Sequence, residues 1–227
     1  MTYLFIGGEL ALDLVNTEVV ARGRPADLLA SAGNLRRWWE EARRHHPSAG
    51  LAPLALEVPA AGAIAAEGDT RLGAARLGAK DRPETVGRDD AGAALLAATK
   101  ALRAALRRLF ETLARGAAPA SADVEAVNAV MRVAYPALAI DSDSAPRADY
   151  GVREDGPDAT LLPIALSARD LLAGRDLRRL RRCGNRRCVL LFYDGTKSAT
   201  RRWCSVRCMD RARSSARYAE RKAGGTL

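Results

Sequence analysis

Apolar residues recur at helical spacing in four stretches of the chain, and these stretches predict most of its secondary structure. The predicted helices run over residues 31–44, from about 89 to 116, from 121 to a point before Pro136, and over 161–172. Ser31 is placed to cap the first helix. Asp90 suits the positive end of the second helix, and Gly116 is a plausible stop for it.

One side of each predicted helix is apolar and is expected to face a core. The inward residues are Leu35, Trp38, Trp39 and Ala42 in the first helix, Leu102, Leu106, Leu109, Phe110 and Leu113 in the second, and Val124, Val127, Val130 and Met131 in the third. A hydrophobic fraction of 48% in 227 residues is enough for a packed core. The length allows one large domain, or a medium domain and a small one.

Strand signals are short and few. Residues 138–140 and 150–152 are predicted as two strands joined by the polar stretch 141–147. Residues 10–15 fit either a strand or a helix, and the glycines at 7–8 mark a turn or a close backbone approach. The predicted fold class is therefore α+β, with a mostly helical N-terminal domain that contains a few strands.

Positive charge is concentrated at the end of the chain. Residues 175–227 carry 16 Lys or Arg and 4 Asp or Glu, a balance of +12, whereas residues 1–174 carry 20 and 23, a balance of −3. This asymmetry predicts a body, residues 1–174, and a basic module, residues 175–227, that meets a polyanion. The alternative is a basic surface that only confers solubility. Within the body, residues 48–90 are rich in Ala, Gly and Pro and are predicted to be a long loop or insertion.

All four cysteines lie in the basic module as two close pairs, Cys183 with Cys188 and Cys204 with Cys208. This spacing lets each pair turn two sulfurs toward one ion, so it predicts a closed, structural Zn²⁺ site with four thiolate ligands. A disulfide or redox pair is the alternative. Cysteines in a reducing compartment are more often ligands than disulfides, and no signal peptide or membrane span is evident, so we expect a soluble cytoplasmic protein.

The sequence between the two cysteine pairs predicts a hairpin. Residues 189–193 favour a strand, the Asp-Gly that follows favours a turn, and residues 197–203 are expected to return as the second strand. The hairpin would bring Trp203 and Phe192 together. Because such a core is too small to stand alone, zinc is expected to supply most of the free energy of folding.

Residues 205–222 are predicted to form a helix with two unlike faces. At about 100° per residue, cations occupy one half of the helix and small or apolar residues the other. The cations are Arg207, Arg211, Arg213, Arg217, Arg221 and Lys222; the residues expected to pack inward are Cys208, Met209, Ala212, Ala216 and Ala219. The alternative is a solvated basic helix over a structural zinc ion.

The basic helix and the predicted strand before it supply the candidate nucleic-acid contacts. These are Lys197, Arg201, Arg202, Arg207, Arg211, Arg213 and Arg217. Arginine can pair with phosphates or bridge guanine edges, so the pattern indicates a nucleic acid without choosing a base sequence.

The body offers one candidate ligand pocket. Asp13, Asn16 and Thr17 are polar residues inside an apolar stretch beside two glycines, although capping of a helix or a turn is the favoured alternative. His45 and His46 follow the first helix, where one of them is expected to be a partner of the helix dipole. No catalytic triad, phosphate-binding glycine loop or metal-spaced carboxylate pair is found, so we expect no enzyme activity.

The basic module resembles the bacterial CGNR zinc-finger proteins, which pair such a finger with an N-terminal domain called ABATE. The finger resemblance lies in Arg182-Cys183, Cys188, Leu191-Phe192, Arg201-Arg202-Trp203-Cys204-Ser205, Cys208 and Arg211, and the ABATE resemblance in Gly7-Gly8, residues 10–17 and residues 162–167. It implies a treble-clef-like finger that binds DNA and an N-terminal domain that senses a ligand or stress.

The family motif that follows Trp-Cys-Ser is Cys-Gly-Asn-Arg, and this chain departs from it. That place reads Cys208-Met209-Asp210-Arg211 here, while the string Cys183-Gly184-Asn185-Arg186 at the first pair is interpreted as a coincidence. Zinc ligation should survive the change.

Together these features predict a DNA-binding transcription regulator. The alternatives are an RNA-binding or ribosome-associated zinc protein, a protein-interaction module that docks an acidic partner, and an unrecognised enzyme. A small-molecule effector is a further expectation. So is a homodimer, because a lone finger binds duplex DNA weakly, although no heptad pattern indicates one.

Overall fold

The computed structural model describes residues 2–54, 88–140 and 144–224. Its α-helices are α1 (Leu10–Val15), α2 (Ala32–His45), α3 (Arg88–Ala114), α4 (Ser121–Met131), α5 (Pro157–Gly174) and α6 (Val206–Gly224). Its strands are β1 (Glu18–Ala21), β2 (Arg24–Asp27), β3 (Ala134–Ile140), β4 (Pro146–Val152), β5 (Leu180–Arg182) and β6 (Leu191–Tyr193). They pair in order as three separate antiparallel hairpins. The predicted α+β class, mostly helical, is confirmed.

The short helix α1 lies at the centre of the core. All six of its residues are buried, and it contacts α3 and α5. Its residues other than Asp13 are apolar because the segment is enclosed on every side, and the sequence pattern of residues 10–15 therefore fitted a strand as well as a helix. The close backbone approach predicted before it is confirmed, because a Cβ on Gly7 would lie 2.6 Å from Leu12 Cβ.

The two long predicted helices are confirmed as α2 and α3. Ser31 Oγ accepts a hydrogen bond from the backbone N–H of Asn34 at 3.2 Å, which caps α2. The predicted inward faces are buried, except that Leu113 is only partly buried. Gly116 follows α3 with a φ of 72°, the left-handed conformation that ends many helices.

Helix α4 is rotated relative to the prediction. Val127 and Val130 are buried, but Val124, which was predicted to face inward, is 37% exposed. Asp123 is buried in its place, because its carboxylate accepts a hydrogen bond from Arg108 Nε at 2.8 Å. An ion pair at the first turn therefore sets which side of α4 faces the core.

The two strands predicted around residues 138–152 are confirmed as β3 and β4, which are longer than predicted and pair Leu138 with Ala148. Residues 141–143 of the connecting stretch lie outside the described residues. The fourth helix, α5, starts at Pro157 instead of 161, with proline at its first turn, where a missing N–H costs no hydrogen bond.

Much of the loop predicted over residues 48–90 lies outside the described residues, which resume at 88. Within the described part, Pro47–Ala49 form a 3-10 turn, and α3 already begins at Arg88.

The hairpin predicted between the cysteine pairs is wrong in its second strand. β6 pairs with β5, which precedes the first cysteine, and residues 197–203 form no strand. The buried carboxylate of Asp194 accepts hydrogen bonds from the N–H groups of Thr196 at 3.0 Å and Arg201 at 2.8 Å. These bonds curl the chain after β6 into turns, so the segment does not run back along β6.

None of the helices in the three described ranges is both long and apolar enough to cross a membrane.

Candidate zinc and nucleic-acid site

The four cysteine sulfurs converge at one point in the C-terminal module. All four lie within 4.8 Å of one another, and the Sγ atoms of Cys188 and Cys204 are 3.8 Å apart. Four sulfurs bound tetrahedrally at about 2.3 Å from one Zn²⁺ would lie about 3.8 Å apart, so this donor set fits zinc. Three of the thiols are buried and that of Cys188 is half-buried. The prediction that Zn²⁺ is the cofactor of the C-terminal module is confirmed.

The thiols perturb one another. Hydrogen bonds from Cys188 and Cys204 lower the pKa of the Cys183 thiol well below its ordinary value. The backbone N–H of Cys204 also points at Cys183 Sγ, at 3.5 Å. The hydrogen bond that Cys188 shares with Cys183 raises the pKa of the Cys188 thiol to about 12. The thiols are therefore close enough to share protons, which a metal ion would displace on binding.

Gly184 and Asn185 join the two halves of the site. The buried Asn185 side chain donates through Nδ2 to the carbonyl of Cys208 at 3.3 Å and accepts through Oδ1 from the N–H of Arg187 at 3.0 Å. A Cβ on Gly184 would lie 3.0 Å from the carbonyl oxygen of Arg202. These two residues therefore have defined roles at the first cysteine pair, which sequence reasoning missed.

The finger shares its hydrophobic core with the body. Phe192 is fully buried with Cys204 and Cys208, and Trp203 packs against the same cluster. Ile6 and Val19 of the body also pack against it. The finger strands reach further, because Leu180 of β5 and Leu191 of β6 belong to the main core of the body. Apolar burial against the body therefore stabilises the finger in addition to zinc binding. An isolated finger would lack this burial.

Hydrogen bonds from the body hold strand β6 and the residues before it. Asn16 Nδ2 donates to the carbonyl of Leu191 at 2.8 Å, and Asn16 Oδ1 accepts from the N–H of Leu191 at 2.9 Å. The N–H of Tyr193 donates to the carbonyl of Gly7 at 2.8 Å. Arg107 Nη1 on α3 donates to the carbonyl of Val189 at 3.2 Å. The body therefore pairs with the free edge of β6.

The other two residues of the predicted ligand pocket also have partners within the body. Asp13 is buried and accepts from the N–H of Gly7 at 2.7 Å, and its second oxygen lies 2.8 Å from His46 Nε2. Thr17 Oγ1 donates to the Leu14 carbonyl at 2.6 Å. Neither residue, nor Asn16, lines the 340 Å³ or the 490 Å³ cleft described below. Their role as ligand contacts stays a prediction.

The two histidines at the end of α2 have different partners. His45 lies in the last turn of α2, as expected of a partner of the helix dipole, and its ring stacks on Phe5 with centroids 4.3 Å apart. His46 follows the helix and reaches back to Asp13.

A second polar network lies where α3 meets the first hairpin. Arg103 makes two hydrogen bonds to the Asp27 carboxylate, at 2.6 and 2.9 Å, and a third to Thr17 Oγ1 at 2.9 Å. The bonds from Arg103 hold the pKa of Asp27 well below its usual range. Beside this network a cleft of about 490 Å³ is lined by both modules, with Val19, Val20 and Arg107 from the body and Val189 from the finger.

Helix α6 packs on the finger only at its start. Cys208 is buried, and Met209 and Ala212 are half-buried, but every residue from 213 to 222 is exposed. The prediction that Ala216 and Ala219 pack inward is therefore wrong, because both lie in the exposed part of the helix.

The predicted cationic residues differ in how much of each side chain is available. Arg207, Arg211, Arg213 and Arg217 are exposed on α6, and Lys197 and Arg202 are exposed on the preceding turns. Arg201 is only half-exposed, because its guanidinium donates to the carbonyls of Trp203 and Cys204 and lies over the Phe192 ring at 4.6 Å.

Three further exposed arginines lie at the first cysteine loop and were not among the predicted contacts. They are Arg182, Arg186 and Arg187. Arg182 and Arg186 line a cleft of about 340 Å³ together with Gly184, Asn185 and two of the cysteines. Their clustering beside the cysteines in the sequence was the signal that could have identified them.

Comparison with known families places these modules in one class of protein, that of two-part transcription regulators with a C-terminal zinc finger. Residues 8–175 match the ABATE family, described as a putative stress-induced transcription regulator. Residues 179–222 match the CGNR zinc finger. The chain therefore belongs to the ABATE family, as its resemblance predicted, and neither matched family is a family of enzymes. No match was found among curated proteins.

Proposed function

We propose that this protein is a cytoplasmic DNA-binding transcription regulator without enzyme activity, in which Cys183, Cys188, Cys204 and Cys208 are the ligands of one zinc ion. The observation that carries the proposal is the exposed second half of α6. Ten consecutive residues, 213–222, extend beyond the finger with no side chain buried. This part of the helix carries Arg213, Arg217 and Arg221 and does not pack on a hydrophobic core, so it is suited to bind a polyanion.

The dimensions of this helix suit the major groove of duplex DNA. Ten residues of α-helix extend for about 15 Å. The groove is about 12 Å wide and admits one helix. Arg213, Arg217 and Arg221 follow one another at i, i+4 spacing and so lie along one side. Arg207 and Arg211 carry the basic residues of the helix back to Cys208, and Arg186 and Arg187 are exposed on the first cysteine loop, where Asn185 donates to the carbonyl of Cys208.

The body is proposed to sense a small-molecule effector. Support comes from the family description and from the 490 Å³ cleft. Because Val189 lines that cleft beside Glu18 and Val19, a molecule bound there would contact the finger as well as the body. Binding in the cleft would then be linked to the position of β6.

The test is binding of the zinc-loaded protein to random duplex DNA over a series of salt concentrations. In the double variant R213A/R217A we expect weaker binding and a log–log salt slope reduced in magnitude by about 0.9 for each arginine that contacts a phosphate. The control is R36A, which removes an exposed arginine from α2 in the body and should leave both quantities unchanged.

Unchanged binding by R213A/R217A would refute the arrangement. Tighter binding to structured RNA than to duplex DNA would assign the protein to RNA-binding zinc proteins instead. Absence of salt-dependent binding to either nucleic acid would favour a protein-interaction module that docks an acidic partner.

A further inference from the structure

The hairpin of β3 and β4 has one face without a charged side chain. Cross-strand partners lie on the same side of a sheet, as do alternate residues along each strand. The register pairs Ala134 with Val152, Pro136 with Tyr150, Leu138 with Ala148, and Ile140 with Pro146. These eight residues form one surface, here called the hairpin face.

The charged groups of the hairpin lie on its opposite side. Arg147 and Asp149 form an ion pair at 2.9 Å. They are paired in the sheet with Ala139 and Ala137, and Tyr135 follows on the same side. The hairpin is therefore amphipathic, and an amphipathic sheet normally packs its apolar face on a core.

The hairpin face is exposed instead of packed. Leu138 is 80% exposed and Ile140 is 66% exposed, and Tyr150 and Val152 are each exposed by more than 40%. The body reaches the hairpin face at the base of the hairpin, where Arg169 Nη1 of α5 donates to the hydroxyl of Tyr150 at 2.5 Å and the guanidinium lies 5.3 Å from the centre of the Tyr150 ring. The exposed apolar area is on the order of 500 Å², which is the size of the largest apolar patch on a typical monomer, and such a patch is often functional.

We propose that the hairpin face is the surface through which two copies of this chain form a dimer. None of the eight residues of the hairpin face is charged, and Arg169 contacts that face at Tyr150, toward its base. Two copies related by a twofold axis can therefore meet over Leu138 and Ile140 without bringing like charges together, although each chain carries a net charge of +9. Two such faces would bury at most about 1,000 Å², which is the lower limit for a specific interface and fits a weak dimer.

The second copy also supplies a packing partner for the hairpin. An isolated two-stranded sheet is marginally stable in water and needs further strands or a packing partner. The hairpin of the second copy provides a matching apolar layer. The inference does not rest on nucleic-acid binding, but a dimer would present two fingers together, and paired fingers suit two half-sites on DNA.

The test is the mass of the zinc-loaded full-length protein in solution, measured by sedimentation at chain concentrations from about 1 to 100 µM, a range that includes weak specific dimers. Wild type should reach twice the chain mass of 24.3 kDa. The variant L138S/I140S should remain at the chain mass, with the zinc content of wild type and the melting temperature that wild type has at concentrations where it is a monomer. The control V206S removes a side chain that is 69% exposed on α6 and should dimerise as wild type does.

A wild-type protein that stays at the chain mass over the whole range would overturn the proposal, whether or not another protein binds the hairpin. A dimer that persists in L138S/I140S would overturn it as well. Loss of the dimer in V206S would place the interface on the finger and so exclude the hairpin.

Discussion

The side-chain amide of Asn16 forms two hydrogen bonds with the backbone of Leu191, one to its carbonyl at 2.8 Å and one from its N–H at 2.9 Å. An asparagine side chain thus takes the place of a neighbouring strand at the open edge of β6. Both residues are buried. A polar residue of the body motif therefore serves to hold the finger, and zinc module and body are joined by specific hydrogen bonds in addition to apolar contact.

Replacing Asn16 by aspartate should destabilise this junction. The carboxylate can still accept the N–H of Leu191, but it has no hydrogen to donate and would face the carbonyl of Leu191. A buried group left without its partner costs about 1–3 kcal/mol, and more when it is charged. We expect N16D to lower the free energy of unfolding by at least that amount in urea titrations, and to speed proteolysis of the finger.

The matched control is N128D, which makes the same chemical change on the exposed side of α4. Its free energy of unfolding should stay within about 0.5 kcal/mol of the wild-type value. If N16D and N128D were equally stable, the Asn16–Leu191 contact would contribute little to the docking of the finger.

Removing one sulfur should abolish zinc binding. We expect C204S to contain no zinc and wild type to contain one ion per chain, because a closed structural site needs all four ligands. The finger amides should then exchange hydrogen faster, while α1 to α5 should keep most of the helical circular dichroism signal. Metal analysis and hydrogen exchange measure the two effects.

The control for the zinc prediction is S205A. Ser205 Oγ accepts from the N–H of Cys208 at 3.3 Å, so this variant loses a helix cap worth about 1 kcal/mol but no sulfur. It should therefore keep its zinc. A C204S protein that binds zinc as tightly as wild type would contradict the assignment of the four ligands.

The pair of Arg103 and Asp27 should make stability depend on pH in the acid range. Hydrogen bonds from Arg103 hold the pKa of Asp27 well below its usual range in the folded protein. The stabilisation is therefore complete above the unfolded pKa of about 3.9 and is lost as the pH falls from there toward the folded pKa. The D27N variant, which cannot titrate at this position, should lose less stability than wild type below about pH 4.

Urea titrations at several pH values give the comparison. The control is D155N, in which the exposed Asp155 carboxyl is removed. Its pH profile should run parallel to that of wild type. Zinc loss at low pH affects all three proteins alike. Parallel profiles for wild type and D27N would show that the ion pair does not carry the acid dependence.

Two glycines should respond oppositely to the same substitution. A Cβ on Gly7 would lie 2.6 Å from Leu12 Cβ and 2.9 Å from Asp13 Oδ1, both buried, so G7A should cost about 1–3 kcal/mol or more. A Cβ on Gly33 in α2 would meet nothing closer than 3.8 Å, so G33A should add about 0.4–1 kcal/mol by restricting the unfolded chain. Thermal unfolding measures both, and a stable G7A would contradict the close approach.

The sequence by itself determined the local features of this protein. The helical spacing of apolar residues predicted α2, α3 and α5, because a helix with one buried side places apolar residues at a repeat of 3.6 residues in the sequence. Cysteine spacing identified the zinc site, because two close pairs constrain four sulfurs irrespective of the rest of the fold. The motifs at both ends of the chain identified the families.

Only the tertiary structure decided how these parts meet. The strand partner of β6 is Leu180–Arg182 and not the segment after it, because a buried carboxylate at Asp194 turns that segment away. Val124 faces solvent because an ion pair to Asp123 rotates α4. Asn16 contacts Leu191 across 175 residues of sequence. Contacts of this kind depend on positions in space that the local pattern of polar and apolar residues does not encode.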